Sequence, residues 1–205
     1  MAALIAATTL LSVSITWYVY DASGLYTLGW LKRVPLPVNP LVLNVTAGFD
    51  ETSALLQQAL QPSALTALDF YDAQRHIEIS IKRARNAYPP FPGTVPCSTD
   101  RIPLPTESVQ LVTALLAAHE IRNDAERIAF FEELHRVLTS NGSIVVLEHL
   151  RDVPNFIAYT IGFLHFHSRD TWRNTFRQSG FMVATEYSIT PFLTAFILKK
   201  NGTST

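Results

Sequence analysis

VLNVTAGFDETSALL, residues 42–56, is the stretch on which the fold turns. An apolar, partly β-branched run from Leu41 to Val45 leads into a turn around Gly48, and a helix start follows at Asp50–Thr52. A strand, a glycine turn and a helix N-terminus in that order put free backbone amides where a cofactor would meet them. Most of the glycines that such a nucleotide-binding turn carries are missing here. The turn therefore reads in two ways: a working cofactor loop, or a structural turn left in the same place.

Outward from this unit, strand and helix patterns alternate. The spacing predicts a helix over Glu51–Leu60, a strand over Leu65–Asp69 that ends on an acid, and a helix over Ala73–Ala87 stopped by Pro89–Pro90. Thr94–Ser98 reads as a short strand. Val109–Ala117 is nearly all apolar, as in a strand covered on both faces. Ile128, Phe131, Leu134 and Leu138 recur at helical spacing within Asn123–Thr139, with Asn123 or Asp124 as cap and Gly142 beyond the end. Ser143–Glu148 is a further strand, Arg169–Ser179 a helix closed by Gly180, and Met182–Ser188 with Phe192–Lys199 a final pair around Pro191. Such alternation argues for an α/β fold, a three-layer αβα sandwich on a mostly parallel sheet.

The chain of 205 residues is 48% hydrophobic and 16% charged, with a net charge of −1. That balance excludes a disordered chain and gives no basis for nucleic-acid binding. Cys97, the single cysteine, permits no intramolecular disulfide and fits a reducing compartment. The six histidines are scattered, and no metal site is expected from their spacing. Ala2–Tyr20 holds 19 residues without a charge, enough for roughly 28 Å of helix. Trp17, Tyr18, Tyr20, Tyr26 and Trp30 follow like an interfacial aromatic belt, and Lys32 and Arg33 are the first basic side chains. The expectation is a single-pass transmembrane anchor with the C-terminal domain cytoplasmic; interfacial docking, a core helix and a cleaved signal are the alternatives. Organisation then follows as a membrane anchor over 1–33, a proline-rich linker over 34–40, a domain over 41–200 and a tail over 201–205.

Three strings, in order and spacing, resemble the class I S-adenosylmethionine-dependent methyltransferases, especially the branch that includes quinone and lipid methyltransferases. DRIPLPTESVQLVTALLAAHEI (100–121) is similar to the family's LPF-P-D-x-S-F-D-x-V run and the LHH after it. FFEELHRVLTSNGSIVVLEH (130–149) is similar to its E-x-x-R-V-L-K-P-G-G segment, and TWRNTFRQSGF (171–181) to the helix and turn before the last strands. The resemblance implies a Rossmann-like, seven-stranded, mostly parallel sheet with S-adenosylmethionine as cofactor.

It also assigns site positions. The family's strand-end acid corresponds to Asn44, and its three glycines to Thr46, Gly48 and Asp50. Asp69 matches the acid that accepts from both ribose hydroxyls. Ser98 and Thr99 take the place of the adenine-contacting Asp-Ala, and Gln110 that of an acid in the fourth strand. Asn44, Gly48, Asp69 and Ser98 are therefore the cofactor candidates, with degraded motifs around them. Asp50 has a second reading as a helix cap. His119 and Glu148, at the carboxyl ends of strands four and five, are the catalytic candidates, with Glu120 and His149 beside them. VPNFIAYTIGFLHFHS (153–168) is an apolar insertion where the family places its substrate lid, and Lys82–Arg85 reads as a solvated basic face. Two functions follow. One is a non-catalytic, membrane-anchored subunit of a membrane protein complex, for example respiratory or photosynthetic. The other is an active methyltransferase on a lipophilic quinone, lipid or pigment precursor taken from the bilayer.

Overall fold

The computed structural model describes residues 2–75 and 79–202. Residues 76–78 of the helix expected over Ala73–Ala87, and residues 203–205 of the expected tail, lie outside the described residues. A seven-stranded sheet forms the centre, in the order β3-β2-β1-β4-β5-β7-β6. Its parallel strands are β1 (Leu41–Thr46), β2 (Ala64–Asp69), β3 (Val95–Pro96), β4 (Val109–Leu115) and β5 (Leu138–His149). β6 (Phe181–Thr190) and β7 (Leu193–Lys200) close one edge as an antiparallel hairpin. The αβα sandwich and mostly parallel sheet expected from the alternating pattern are present.

Each strand divides its residues between two layers, because successive side chains point to opposite faces. Leu43, Val45, Val112 and Val146 face α4 (Asp124–Val137) and α6 (Arg169–Gln178), where Phe130, Phe131, Leu134, Trp172 and Phe176 are all fully buried. Each such side chain contributes about 1.5–3 kcal/mol by leaving water. On the other face, Val42, Leu111, Val145 and Ile197 meet Leu56 of α2 (Ser53–Leu60). Leu28, Leu31 and Val34, on and beside the short 3-10 turns Leu25–Thr27 and Gly29–Arg33, join the same cluster. A segment read as anchor and linker thus covers the sheet as a helix would.

Local signals set most boundaries. The Asn123 side chain accepts from the Glu126 amide at 3.0 Å, and Ser168 accepts from Thr171 at 3.1 Å, each starting its helix. Gly180 takes φ +83° after α6, as its place predicts. Gly142 does not end α4, because Leu138 turns extended directly after Val137 and opens β5. Gly142 lies inside that strand, where an added Cβ would fall 2.6 Å from the Leu138 side chain.

The transmembrane expectation is corrected here. Helix α1 (Ala2–Trp17) has 16 residues, about 24 Å at 1.5 Å each, against roughly 30 Å of hydrocarbon core. Among the described residues no helix is long and apolar enough to cross a membrane. The reason lies in the residues after Trp17. The helix widens into a π-helical turn over Tyr18–Ala22, and Val19 and Leu25 pack on Leu147, Leu193 and Ala195 of the sheet. Of the three residues after Trp17 counted toward a span, Val19 and Tyr20 dock on the sheet instead. α5 (Val153–Tyr159) and a 3-10 turn (Thr160–His165) form the apolar insertion beside α1.

Candidate cofactor turn and a buried His–Glu cluster

The turn after β1 sits at the carboxyl edge of the sheet, beside the end of β2, where the family resemblance places a cofactor. Its polar groups are bonded to one another. Asn44 is fully buried; its Oδ1 accepts from the Thr113 hydroxyl at 2.7 Å, and its Nδ2 donates to Thr52 Oγ1 at 3.0 Å and Ser53 Oγ at 2.9 Å. Asp50 Oδ1 accepts from the amides of Thr52 and Ser53 at 3.0 and 2.9 Å; α2 starts at Ser53 with Thr52 in the N-cap position, two residues later than expected, so Asp50 bonds the helix start from outside the cap position. Those amides are the donors a ligand at this helix start would use. Asp50 Oδ2 is buried with no hydrogen-bond partner among the described residues.

Gly48 has φ +94°, and a Cβ there would lie 2.9 Å from both Tyr71 and Ile81. Those side chains therefore occupy the space that the glycine leaves. Asp69 is engaged on both oxygens: Oδ1 accepts from the Tyr71 amide at 3.0 Å, and Oδ2 pairs with Arg85. Arg85 also donates to the Gly48 carbonyl at 3.3 Å and lies over the Tyr71 ring at 4.7 Å. Read as part of a solvated basic face, Arg85 instead reaches back across the cofactor turn from α3 (Ile79–Ala87). Ser98 donates to Asp100 and borders a separate polar groove with Asp72, Arg75 and Glu126. Gln110 lies at the opposite edge of the sheet. It sits near the start of β4, where its Oε1 accepts from the amide of Leu41, the first residue of the parallel neighbour β1. A neutral residue there says nothing about the cofactor turn.

Over β4 and β5 the geometry differs. His119 leaves the short turn Ala118–Glu120, and its Nδ1 lies 2.7 Å from Oε2 of Glu148, a fully buried carboxylate at the end of β5. The His119 amide donates to the other Glu148 oxygen at 3.2 Å. On the far side of the ring, Nε2 is 3.3 Å from Glu120 Oε1, which is 3.6 Å from His165 Nε2 on the lid. Burial alone would push the His119 imidazolium down, but Glu148 and Glu120 outweigh it and hold it up at about 10. Glu120 would likewise be raised by burial, yet bonds from His119 and His165 bring it down to about 2. An imidazolium held this way donates a hydrogen bond rather than abstracting a proton, which narrows the catalytic candidacy of His119.

His149, beside Glu148, faces the other way. Its Nδ1 contacts two acceptors, Phe192 O at 2.9 Å and Asn155 Oδ1 at 3.0 Å, so that nitrogen carries the proton and Nε2 accepts from Tyr20. Burial holds its pKa down at about 4. Tyr20, expected in an interfacial belt, is thus a site residue. Tyr20, Leu116, His119, His149, Tyr159 and Phe166 border a mostly apolar, open cavity of about 480 Å³. The sequence singled out His119, Glu120, Glu148 and His149, and the structure brings them together. His165, Tyr20, Tyr71 and Arg85 were missed. Only Arg85 carried a local signal, as a base one helix beyond the acid at 69.

Residues 43–146 match the family described as a methyltransferase domain. No curated protein matches the chain by sequence. Among solved structures, a chain of the complex between the Haloferax volcanii Trm112 methyltransferase activator and a methyltransferase is similar at TM-score 0.62 and 16% identity. That match covers 90% of this chain and 96% of the other. A SAM-dependent methyltransferase from Aquifex aeolicus matches with the same values. An S-adenosylmethionine-dependent methyltransferase from Mesorhizobium loti matches at TM-score 0.58 and 15% identity, over 88% and 99%. At such identities the likeness is one of fold.

Proposed function

The chain belongs to the methyltransferase-domain family, and we propose that it is a membrane-associated, non-catalytic member serving as an accessory subunit of a membrane protein assembly. The observation that carries this reading is the Asp69–Arg85 pair over Gly48. S-adenosylmethionine in the family's pose would need both Asp69 oxygens, the space now held by Tyr71 and Ile81, and the amides bonded by Asp50. Asp50 also brings a carboxylate toward the cofactor's own. The side chains present do not fit that group, and no transfer step is assigned to them.

Membrane association is supported by two adjoining apolar surfaces. Ile5, Leu10, Val13 and Trp17 on α1 are each about 60–70% exposed, and Val153, Ile161 and Leu164 on the lid are more than half exposed. Contiguous apolar area of this kind marks a protein or membrane contact. At about 24 Å, α1 falls short of a span and carries no charged face, so its association with a bilayer would rest on these exposed apolar side chains, with Lys32, Arg33 and the domain on the cytoplasmic side. Calorimetry on the full chain tests the reading: millimolar S-adenosylmethionine gives no binding heat while circular dichroism shows a folded protein. Micromolar binding abolished by Asp69→Ala would overturn it.

A second reading has two observations in its favour. The unpartnered Asp50 Oδ2 is an acceptor for a ligand ammonium, and the large apolar cavity would hold a lipophilic acceptor beside His119. An active methyltransferase on a quinone, lipid or pigment precursor would then require Arg85 to leave Asp69. The same titration separates the two.

A further inference from the structure

We propose that His119, Glu120 and His165 form a site for one divalent transition-metal ion of the zinc class, with Glu148 orienting His119 from behind. Three candidate donor atoms, one from each residue, all lie within 4.8 Å of one another. His119 Nε2 and His165 Nε2 stand 3.3 and 3.6 Å from the same oxygen, Glu120 Oε1. Donors held about 2.0–2.1 Å from a tetrahedral ion are separated by roughly 3.3 Å, so two of the three edges are already near their final length. The two rings meet edge to face, their centroids 5.2 Å apart.

The surroundings match what a metal-binding imidazole needs. Its second nitrogen should bond a carboxylate that fixes ring orientation and tautomer, and Glu148 Oε2 lies 2.7 Å from His119 Nδ1. Glu148 itself is held by the His119 amide. Glu120 and Glu148 are two buried carboxylates within reach of one imidazole, a concentration of negative charge that a divalent ion neutralises better than a single proton. Two imidazoles and one carboxylate favour zinc, cobalt or iron over magnesium or calcium, which prefer all-oxygen sites. Three protein donors leave a fourth position open, and His119 borders the large apolar cavity from which a ligand would reach it. This site lies apart from Asp69 and Gly48 and does not depend on the state of the cofactor turn.

The experiment uses the full chain stripped with a chelator and titrated with cobalt(II), followed by visible absorption and, for zinc(II), by calorimetry. One equivalent bound at micromolar affinity or tighter, with cobalt bands of low coordination number, is the expected result. His165→Gln and Glu120→Gln should each weaken binding by about 100-fold or more, and Glu148→Gln by about 10–100-fold through the loss of ring orientation. Zinc should raise the unfolding temperature of the wild type and not of His165→Gln, a substitution on the lid that leaves the sheet untouched. Substoichiometric binding by the wild type, or binding that His165→Gln and Glu120→Gln leave unchanged, would overturn the site.

Discussion

Over β1 and β2, most polar groups pair within the turn and the helix that follows, with Asn44 also reaching Thr113 on the neighbouring strand; over β4 and β5, they pair across longer stretches of chain and around a cavity. Asn44 reaches Thr52 and Ser53, Asp50 reaches its own helix start, and Asp69 finds Arg85 one helix later. His119 finds Glu148 on the next strand and His165 on the lid, while His149 meets Tyr20 from the N-terminal segment. The first region is closed by contacts that cost little to make. The second keeps two carboxylates and two histidines out of water beside open space, an arrangement that requires every partner in place. The difference teaches where this chain concentrates its titrating chemistry. The turn holds the family's position, and the buried charge lies one strand pair away.

That contrast can be broken most directly at Glu148. Glu148→Ala leaves the His119 imidazolium buried without its main counter-charge and should destabilise the protein by about 3–5 kcal/mol in urea unfolding. A loss below that of the turn variant described last would mean the cluster is not the strained region.

Acid should expose the same side of the molecule. His149 is held neutral, with its pKa pushed from the usual 6.5 down to about 4 by burial, so protonation favours the unfolded chain. Its contribution is full above pH 6.5 and is lost as pH falls toward 4, by up to about 3 kcal/mol. The groups around it are Tyr20, Tyr159, Asn155, Asp152 and His119. Unfolding midpoints at pH 7.5, 6, 5 and 4 should show the wild type losing this amount relative to His149→Gln. Parallel pH curves for the two proteins would remove His149 from the account.

The smallest effect belongs to the turn. Asp50→Ala removes acceptors for two helix-start amides and should lower stability by about 1 kcal/mol, without changing its pH dependence above pH 6.

The same division decides what could be read from the chain. The apolar runs of β1, β4 and β5 fall on buried strands, and Asn123, Ser168 and Gly180 set helix ends by bonds within three or four residues. That Asp50 bonds the helix start was legible for that reason, though the cap position itself falls on Thr52. Gln110 was misplaced because a motif position does not say which edge of the sheet it occupies. His165 looked like one scattered histidine, since nothing local records that the lid folds back over β4. The N-terminal run showed its apolarity plainly. What it hid was that Val19 and Leu25 have partners on β5 and β7, nearly the whole chain away.

Those distant partners have a consequence for how the protein is made. Val19 and Leu25 leave the ribosome well before their partners Leu193 and Ala195. Tyr187 likewise donates to the Trp30 carbonyl at 3.1 Å. The segment around Val19 and Leu25 cannot finish docking until β7 has been made, and until then α1 travels as a bare apolar helix on an unfinished sheet. Contacts of such sequence separation form late and leave apolar surface open to aggregation or capture meanwhile. Nascent chains of this protein are the species most in need of a chaperone or a membrane surface, and loss of β7 is felt at Val19 and Leu25.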